Sequence, residues 1–320
     1  MKLSKLSLID LHCDTLCEIE RNKTSLLQND LTISLQTVEP YQHYAQFFAS
    51  WCSHRLDDEQ GYSTFLRMSD YLDAQLAIPE VAARMVKVTN AQQLTDAWAQ
   101  GKHAAILAIE DARILAGDLS RLDVLAAHGV RYATLQWSGE TCIGGAHDTE
   151  TGLTDFGKQV VCRCFELGIV PDLSHTNARS AQDAIDLAMA AGQPLLATHS
   201  NAYSIYPHSR NLRDEHFIAL RELGGLVGLN FCRPHLWDPQ KETVTVSHII
   251  RHLEHFLSLG GEDTVAIGAD WDGAPLPEGF STIADAQKLA NELCRLGYTD
   301  SLIEKLFFGN ALAFIQRNFR

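Results

Sequence analysis

The sequence lacks the patterns that mark several classes of protein. No run of 18 consecutive apolar residues occurs among its 320 residues, which argues against a transmembrane helix. The first eight residues lack the long apolar core of a signal peptide. The 26 Lys and Arg residues form no basic cluster and are outnumbered by 40 Asp and Glu, which argues against a nucleic-acid surface. We therefore expect a cytoplasmic protein that binds neither membranes nor nucleic acids.

The eight cysteines also lack a recognisable motif. No Cys-x-x-Cys pair occurs, so we interpret them as small buried thiols rather than zinc ligands or disulfides. With 46% hydrophobic and 21% charged residues, the chain is able to bury a sizeable core. Its length fits either two average domains or one large α/β barrel, and no shift in composition separates two domains.

Short apolar segments alternate with longer amphipathic ones along the chain. Strands are predicted at eight places: 6–11, 45–50, 104–109, 132–136, 169–173, 195–198, 226–230 and 265–268. Helical patterns between them, such as 155–167 and 178–191, end at glycines suited to a helix C-cap. Strands that recur after helices pair in parallel through right-handed crossovers. The pattern predicts a single-domain (β/α)8 TIM-type barrel over 1–320, with a doubly wound sheet as the alternative.

Three segments depart from the regular alternation. We expect 61–100 to be a helical insertion between the second and third strands, and 300–319 to form two closing helices. The Gly- and Asp-rich segment 139–157 is a long loop, of a length that is often functional. Three histidines at helical spacing, His248, His252 and His255, predict an exposed helix face.

Residues that bind metals or carry protons follow five of the predicted strands. They are His12, Asp14, Glu110, His175, His199 and Asp270. His12 and Asp14 are two residues apart, so an extended chain places both side chains on one side. One histidine at a strand end is more often a structural hydrogen-bonding group, and Glu110 could cap a helix. The convergence of all six at the carboxyl end of a barrel instead favours a metal site.

The predicted ligands exceed the needs of one tetrahedral zinc ion. They suit two metal ions that share Glu110 and hold a hydroxide between them, which is the machinery of amide hydrolysis. Arg210 is suited to binding a substrate carboxylate, with a surface salt bridge as the alternative. Asp270 is suited to binding an ammonium group or protonating a leaving amine, with a simple Asp-Gly turn as the alternative.

These motifs together resemble those of the membrane dipeptidases, metallopeptidase family M19. The resemblance is carried by Ile9-Asp10-Leu11-His12-Cys13-Asp14, Ile109-Glu110, the segment 151–157, Asp172-Leu173-Ser174-His175, Thr198-His199-Ser200-Asn201, Ser209-Arg210-Asn211 and Gly268-Ala269-Asp270-Trp271-Asp272-Gly273. It covers nearly the whole chain and implies a β/α barrel, a small peptide substrate and a homodimer.

The resemblance also implies a role for each site residue. One zinc ion is expected to bind His12, Asp14 and Glu110, and the other to bind Glu110, His175 and His199. Arg210 is expected to receive the terminal carboxylate of a dipeptide. Asp270, the second catalytic residue beside Glu110, is expected to handle the amine and its proton.

The sequence departs from the family after the fourth predicted strand. Where the mammalian enzymes have a histidine that contacts the substrate carbonyl, this chain has Trp137, which brings the substrate into question. His147 in the following loop is a candidate replacement. Trp51 lies in a segment that lines the site in the family, so it is expected to shape the pocket; the alternative is a core aromatic.

Three functions are compatible with these residues. The leading hypothesis is a cytosolic two-zinc dipeptidase that uses a bridging hydroxide on a dipeptide with a free C-terminal carboxylate. The second, suggested by Trp137, is a metal-dependent amidohydrolase that acts on a non-peptide amide or lactam. The third is a barrel that binds metal or peptide without catalysis, against which the complete ligand set argues.

Overall fold

Eight parallel strands close into a barrel in the computed structural model, which describes residues 6–319. The strands of the sheet are β1 (Leu8–Cys13), β2 (Tyr44–Trp51), β3 (Met85–Lys87), β4 (His103–Glu110), β5 (Val130–Thr134), β6 (Val170–Asp172), β7 (Leu196–Ala197), β8 (Leu226–Leu229) and β9 (Val265–Ile267). Pairing of β2 with β4 closes the ring of β1, β2 and β4 to β9. The TIM-type barrel predicted from the sequence is therefore confirmed.

Helices follow most of the strands and form the outer layer. They are α1 (Thr15–Asn22), α2 (Asp58–Leu76), α3 (Pro79–Ala82), α4 (Ala91–Ala99), α5 (Arg121–Ala127), α6 (Asp155–Leu167), α7 (Ala178–Ala191), α8 (Asp214–Glu222), α9 (Arg233–Leu236), α10 (Val246–Ser258), α11 (Ala286–Arg295), α12 (Asp300–Glu304) and α13 (Asn310–Asn318). As predicted, α6 and α7 end at glycines in the left-handed conformation, Gly168 and Gly192. Among residues 6–319, no helix has the length and apolarity needed to cross a membrane.

Two expectations about local structure were wrong. The segment 61–100 is not wholly helical, because Met85–Lys87 forms β3, which pairs with the amino end of β4 and buries Met85. His248 and His252 are buried rather than exposed. His252 accepts a hydrogen bond from the Ala202 amide and has its other ring nitrogen 3.0 Å from the Leu236 carbonyl, so tertiary contacts override the helical spacing.

The first strand and the closing helices lie close to their predicted positions. The predicted closing helices are α12 and α13, joined by a π-helical turn at Lys305–Gly309. The first predicted strand begins and ends two residues later than expected, so His12 lies within β1 rather than after it. Most of the segment tested for a signal peptide, residues 1–5, lies outside the described residues, as does residue 320.

The apolar core is divided between the outside and the inside of the barrel. Outward-facing strand residues pack against the surrounding helices. Inside the barrel, Ile9, Leu11 and Phe47 pack with Phe314 of α13 and with Phe319, both near the chain end. These inner residues belong mainly to the amino-terminal halves of the strands, so they fill one end of the barrel and leave the carboxyl end to polar side chains.

Candidate active site

The six strand-end residues predicted from the sequence come together at the carboxyl end of the barrel. His12 occupies the middle of one group, where its Nε2 lies 3.6 Å from Asp14 Oδ2, 3.6 Å from Glu110 Oε2 and 3.8 Å from Asp270 Oδ1. The other carboxylate oxygen of Glu110, Oε1, lies 2.9 Å from His175 Nε2 and 3.5 Å from His199 Nε2. Glu110 therefore stands between two sets of possible metal ligands.

Unusual backbone conformations direct several of these side chains. His175 and Asp270 have positive φ angles of 69° and 66°, and Asp111, directly after Glu110, has a φ of 90°. Such angles are uncommon for residues other than glycine and are found where a site requires them. Here they turn the chain sharply at the ends of β6, β9 and β4, where the site residues lie.

Each of the three histidines is held through its Nδ1 atom, so that Nε2 faces the centre. Nδ1 of His12 lies 2.8 Å from the Tyr132 hydroxyl. Nδ1 of His175 lies 3.0 Å from the Trp137 carbonyl oxygen, and Nδ1 of His199 lies 2.9 Å from the Thr198 hydroxyl. Partners of this kind orient metal-bound histidines in proteins.

The arrangement of acceptors fits a bound cation. The Trp137 carbonyl can only accept a hydrogen bond, so neutral His175 carries its proton on Nδ1 and presents a lone pair at Nε2. That lone pair faces Glu110 Oε1 and, at 3.0 Å, the Nε2 of His199. The buried Nε2 of His12 has no hydrogen-bond partner within residues 6–319. Nitrogen and carboxylate ligands that face one another in this way suit zinc and other divalent transition metals.

Burial governs the electrostatics of the cluster. Desolvation raises the pKa of Glu110 to about 7 and that of Asp270 to about 6, because burial penalises the charged carboxylate. Desolvation also lowers the pKa values of His175 and His199, and the positive charge of the nearby Arg210 lowers them further. Burial also opposes charge on His12, but Tyr132, Glu110 and Asp14 outweigh it and raise the pKa of His12 well above its usual value. Burial therefore disfavours charge on Glu110 and Asp270 and on the rings of His175 and His199, and a metal cation among these groups can compensate the carboxylate charge.

Arg210 places a buried guanidinium group near the cluster. Its side chain is buried, with the residue only 5% exposed, and its Nε and Nη2 atoms have no hydrogen-bond partner among the described residues. Desolvation lowers its pKa, while Asp270 and Glu110 act in the opposite direction. A buried guanidinium with unpaired N–H groups is prepared for a carboxylate ligand.

The cavity above the cluster has a volume of about 650 Å³ and an aromatic wall. Trp137 packs edge-on against Trp51, with ring centroids 5.1 Å apart, and stacks on His54 at 5.6 Å. Trp51 thus lines the cavity and is not enclosed in the core. His147 also reaches the cavity, with its ring 5.8 Å from that of His175 and its Nδ1 3.0 Å from the Ser209 hydroxyl.

Several residues that line the cavity were not singled out from the sequence. Among them are Cys17, His54, His208, Cys232 and His235. The rings of His208 and His235 lie 4.8 Å apart. His54 and His208 lie in loops, and His235 lies in the short helix α9. No regular spacing in the sequence connects them, although His208 is only two residues from Arg210.

Comparison with known proteins shows the family to which the chain belongs. The family model for the membrane dipeptidases (peptidase family M19) matches residues 2–318. A metallopeptidase from Rhodobacter sphaeroides has 27% sequence identity and a TM-score of 0.90, with 98% of this chain and 99% of that chain covered. The crystal structure of another M19 metallopeptidase, named dipeptidase AC, gives the same identity, TM-score and coverage.

Curated sequences point in the same direction. An uncharacterised protein of Klebsiella pneumoniae, from the pqqA 5' region, is 34% identical over 219 residues, which cover 65% of this chain and 80% of that protein. An uncharacterised dipeptidase of Schizosaccharomyces pombe is 30% identical over 222 residues, which cover 66% of this chain and 52% of that protein. The chain therefore belongs to the membrane dipeptidase family, peptidase family M19, and is a metallo-dipeptidase.

Proposed function

We propose that the chain hydrolyses dipeptides with a free C-terminal carboxylate at a centre of two zinc ions. One zinc ion is assigned to His12, Asp14 and Glu110, and the other to Glu110, His175 and His199. The observation that carries the assignment is the position of Glu110, whose two carboxylate oxygens face different histidines. Zinc ions held by these residues would supply a hydroxide at neutral pH and would polarise the carbonyl of the substrate.

Arg210 binds the terminal carboxylate of the substrate in this proposal. Its unpaired Nε and Nη2 atoms are both donors, and a carboxylate is able to accept from both at once. Water is largely kept from the guanidinium because the side chain is buried, which strengthens the charged hydrogen bonds. A dipeptide held there extends toward Asp14, Glu110 and His175, which line the same cavity as Arg210.

Asp270 receives the amine side of the reaction. Its Oδ2 accepts a hydrogen bond of 3.3 Å from the Asn230 side-chain amide, which leaves Oδ1 directed toward His12. Asn230 also donates to the His199 carbonyl at 3.1 Å, so the position of Asp270 is tied to that of a proposed metal ligand. We assign to Oδ1 the proton that the leaving amine takes up.

The R. sphaeroides relative suggests the first substrates to test, because its crystal structure contains a phosphinate mimic of L-Ala-D-Ala. We expect purified protein to contain two zinc ions per chain by elemental analysis and to cleave a member of a panel of L,L- and L,D-dipeptides. The same dipeptides with an amidated C-terminus serve as the control, and they should be poor substrates. Protein that holds two zinc ions but cleaves no dipeptide would contradict the proposal.

A second candidate function is hydrolysis of a non-peptide amide or lactam. The aromatic wall of Trp51, Trp137 and His54 favours it, since this surface offers apolar contacts to a substrate bulkier than a small dipeptide. Turnover of acylated amines or lactams, with every dipeptide untouched, would establish this function in place of the first. Metal analysis of the same sample shows whether missing dipeptide cleavage reflects a different substrate preference or a protein that has lost its metal.

A further inference from the structure

A buried carboxylate outside the ligand set, that of Asp172 on β6, collects donors from three neighbouring strand ends. It is fully buried. Oδ2 accepts from the hydroxyls of Thr134 at 2.6 Å and Thr198 at 2.8 Å. Oδ1 accepts from the Thr198 amide at 2.8 Å and from the amide and hydroxyl of Ser174 at 3.2 and 3.1 Å. Asp172 thus accepts five hydrogen bonds from other residues within 6–319 and is not among the residues that line the cavity.

The direction of the Thr198 hydroxyl follows from this arrangement. A hydroxyl has one proton, and the Asp172 carboxylate can only accept, so that proton points to Oδ2. The oxygen of Thr198 then has only lone pairs to offer His199, whose Nδ1 lies 2.9 Å away. The contact is a hydrogen bond only if His199 carries its proton on Nδ1, which leaves a lone pair on Nε2.

The Ser174 hydroxyl, like that of Thr198, donates to Asp172 and accepts from His199, but it accepts from the backbone amide rather than the ring. This hydroxyl donates to Asp172 Oδ1, so its oxygen is free to accept the His199 amide at 3.1 Å. Asp172 therefore sets two hydroxyls at once, one that holds the ring of His199 and one that holds its backbone. His175 needs no such device because a backbone carbonyl already defines its proton position.

We propose that Asp172 is a positioning residue which, through the hydroxyls of Thr198 and Ser174, holds His199 with the proton on Nδ1 and the Nε2 lone pair toward the metal centre. The inference rests on the proposed role of His199 as a metal ligand. Carboxylates that orient metal-bound histidines usually contact the ring directly. Here a threonine hydroxyl stands between the carboxylate and the ring.

Thr198→Val tests the proposal, and Thr134→Val is its matched control. Both variants remove a buried hydroxyl that donates to the same oxygen of Asp172, but only Thr198 contacts His199. The two variants should therefore lose similar amounts of stability. Thr198→Val should weaken zinc binding by about 10- to 100-fold in a competition with a chromophoric chelator, while Thr134→Val and Thr198→Ser should bind zinc like the wild type.

The protonated nitrogen of His199 provides a readout that does not depend on metal or activity. In metal-depleted protein with ¹⁵N-labelled histidine, long-range ¹H–¹⁵N NMR spectra report which ring nitrogen carries the proton, and His199→Gln identifies the signal. We expect Nδ1–H in the wild type and in Thr198→Ser, and loss of that preference in Thr198→Val. In Asp172→Asn, an amide N–H that donates to Thr198 should shift the proton toward Nε2.

Two results would overturn the inference: an unchanged Nδ1–H signal in Thr198→Val, or an equal loss of zinc affinity in Thr134→Val. Failure of the proposed function looks different. A wild-type protein that cleaves no dipeptide would overturn the proposed activity, and a zinc affinity that does not depend on His199 would overturn the metal assignment. The NMR comparison of Thr198→Val with Thr134→Val would still decide what Asp172 does.

Discussion

The two ends of the barrel interior differ in how their side chains are satisfied. At the amino end, the ring of Phe319 lies 6.0 Å from those of Phe47 and Phe314, within a cluster of buried hydrophobic side chains. At the carboxyl end, buried atoms of His12 and Arg210 have no partner among residues 6–319. A buried polar group without a partner costs about 1–3 kcal/mol. The amino end therefore stabilises the fold, whereas the unpaired polar atoms at the carboxyl end lower its stability and are available to bind ligands.

The boundary between the two ends runs through a single side chain. The ring of Tyr132 packs against Phe47, with centroids 5.5 Å apart, and belongs to the apolar cluster. Its hydroxyl lies 2.8 Å from Nδ1 of His12, a proposed metal ligand. Because the division is this sharp, substitutions should affect either stability or chemistry, and the four predictions below test that separation.

The largest effect is expected at the carboxyl end, from Glu110→Gln. An amide of the same shape replaces the carboxylate that faces both groups of histidines, so hydrolysis should fall by about 10³-fold or more. The melting temperature of metal-depleted protein should stay the same or rise, because a buried charge is removed from a site rich in acceptors. Steady-state kinetics, metal analysis and thermal unfolding test this, and activity within tenfold of the wild type would remove Glu110 from the centre.

The opposite result is expected at the amino end, from Phe314→Ala. Removal of this buried ring should lower the free energy of unfolding by about 3–5 kcal/mol. The kcat/KM of the folded protein should change by less than about twofold, since Phe314 packs in the apolar cluster and is not among the described residues that line the cavity. Met189→Ala, at a half-exposed position on α7, is the control and should change neither quantity. A large fall in kcat/KM for Phe314→Ala would show that the two ends are coupled.

Arg210→Met separates substrate binding from stability within the carboxyl end. Loss of two charged hydrogen bonds should lower kcat/KM for dipeptides by about 10²-fold or more. Dipeptide amides, which lack the carboxylate, should be cleaved equally slowly by variant and wild type. Stability should not fall, because the lost Nε and Nη2 atoms have no hydrogen-bond partner within residues 6–319. Equal losses for both classes of substrate would indicate a general disturbance of the site.

The sequence was sufficient to predict the features that depend on periodicity. All eight barrel strands were identified, since each is an apolar segment between amphipathic helices, and closure of a barrel brings the carboxyl ends of its strands together. That is why Glu110, His175 and Asp270, far apart in the chain, were expected at one site. Strand β3 was missed because it is only three residues long and pairs with the start of β4, which leaves no local pattern in the sequence.

Contacts made by loops could not be predicted in this way. His54, His208 and His235 enter the cavity from separate loops and a short helix, whose paths depend on packing rather than on a repeating pattern. Trp137 illustrates a different limit. Its side chain drew attention as a departure from the family, but its backbone carbonyl, which any residue supplies, is what orients His175.

The smallest effect is expected from Tyr132→Phe, which tests the boundary itself. The variant keeps the ring against Phe47 and removes only the hydroxyl beside His12, so stability should change by no more than about 1.5 kcal/mol. Zinc affinity should fall by about tenfold, because Nδ1 of His12 loses the group that orients the ring. Tyr132→Leu, which removes ring and hydroxyl together, should lose both stability and affinity. If Tyr132→Phe lowers stability as much as Tyr132→Leu and leaves zinc affinity unchanged, the hydroxyl serves the core rather than the metal site, and the boundary lies closer to His12.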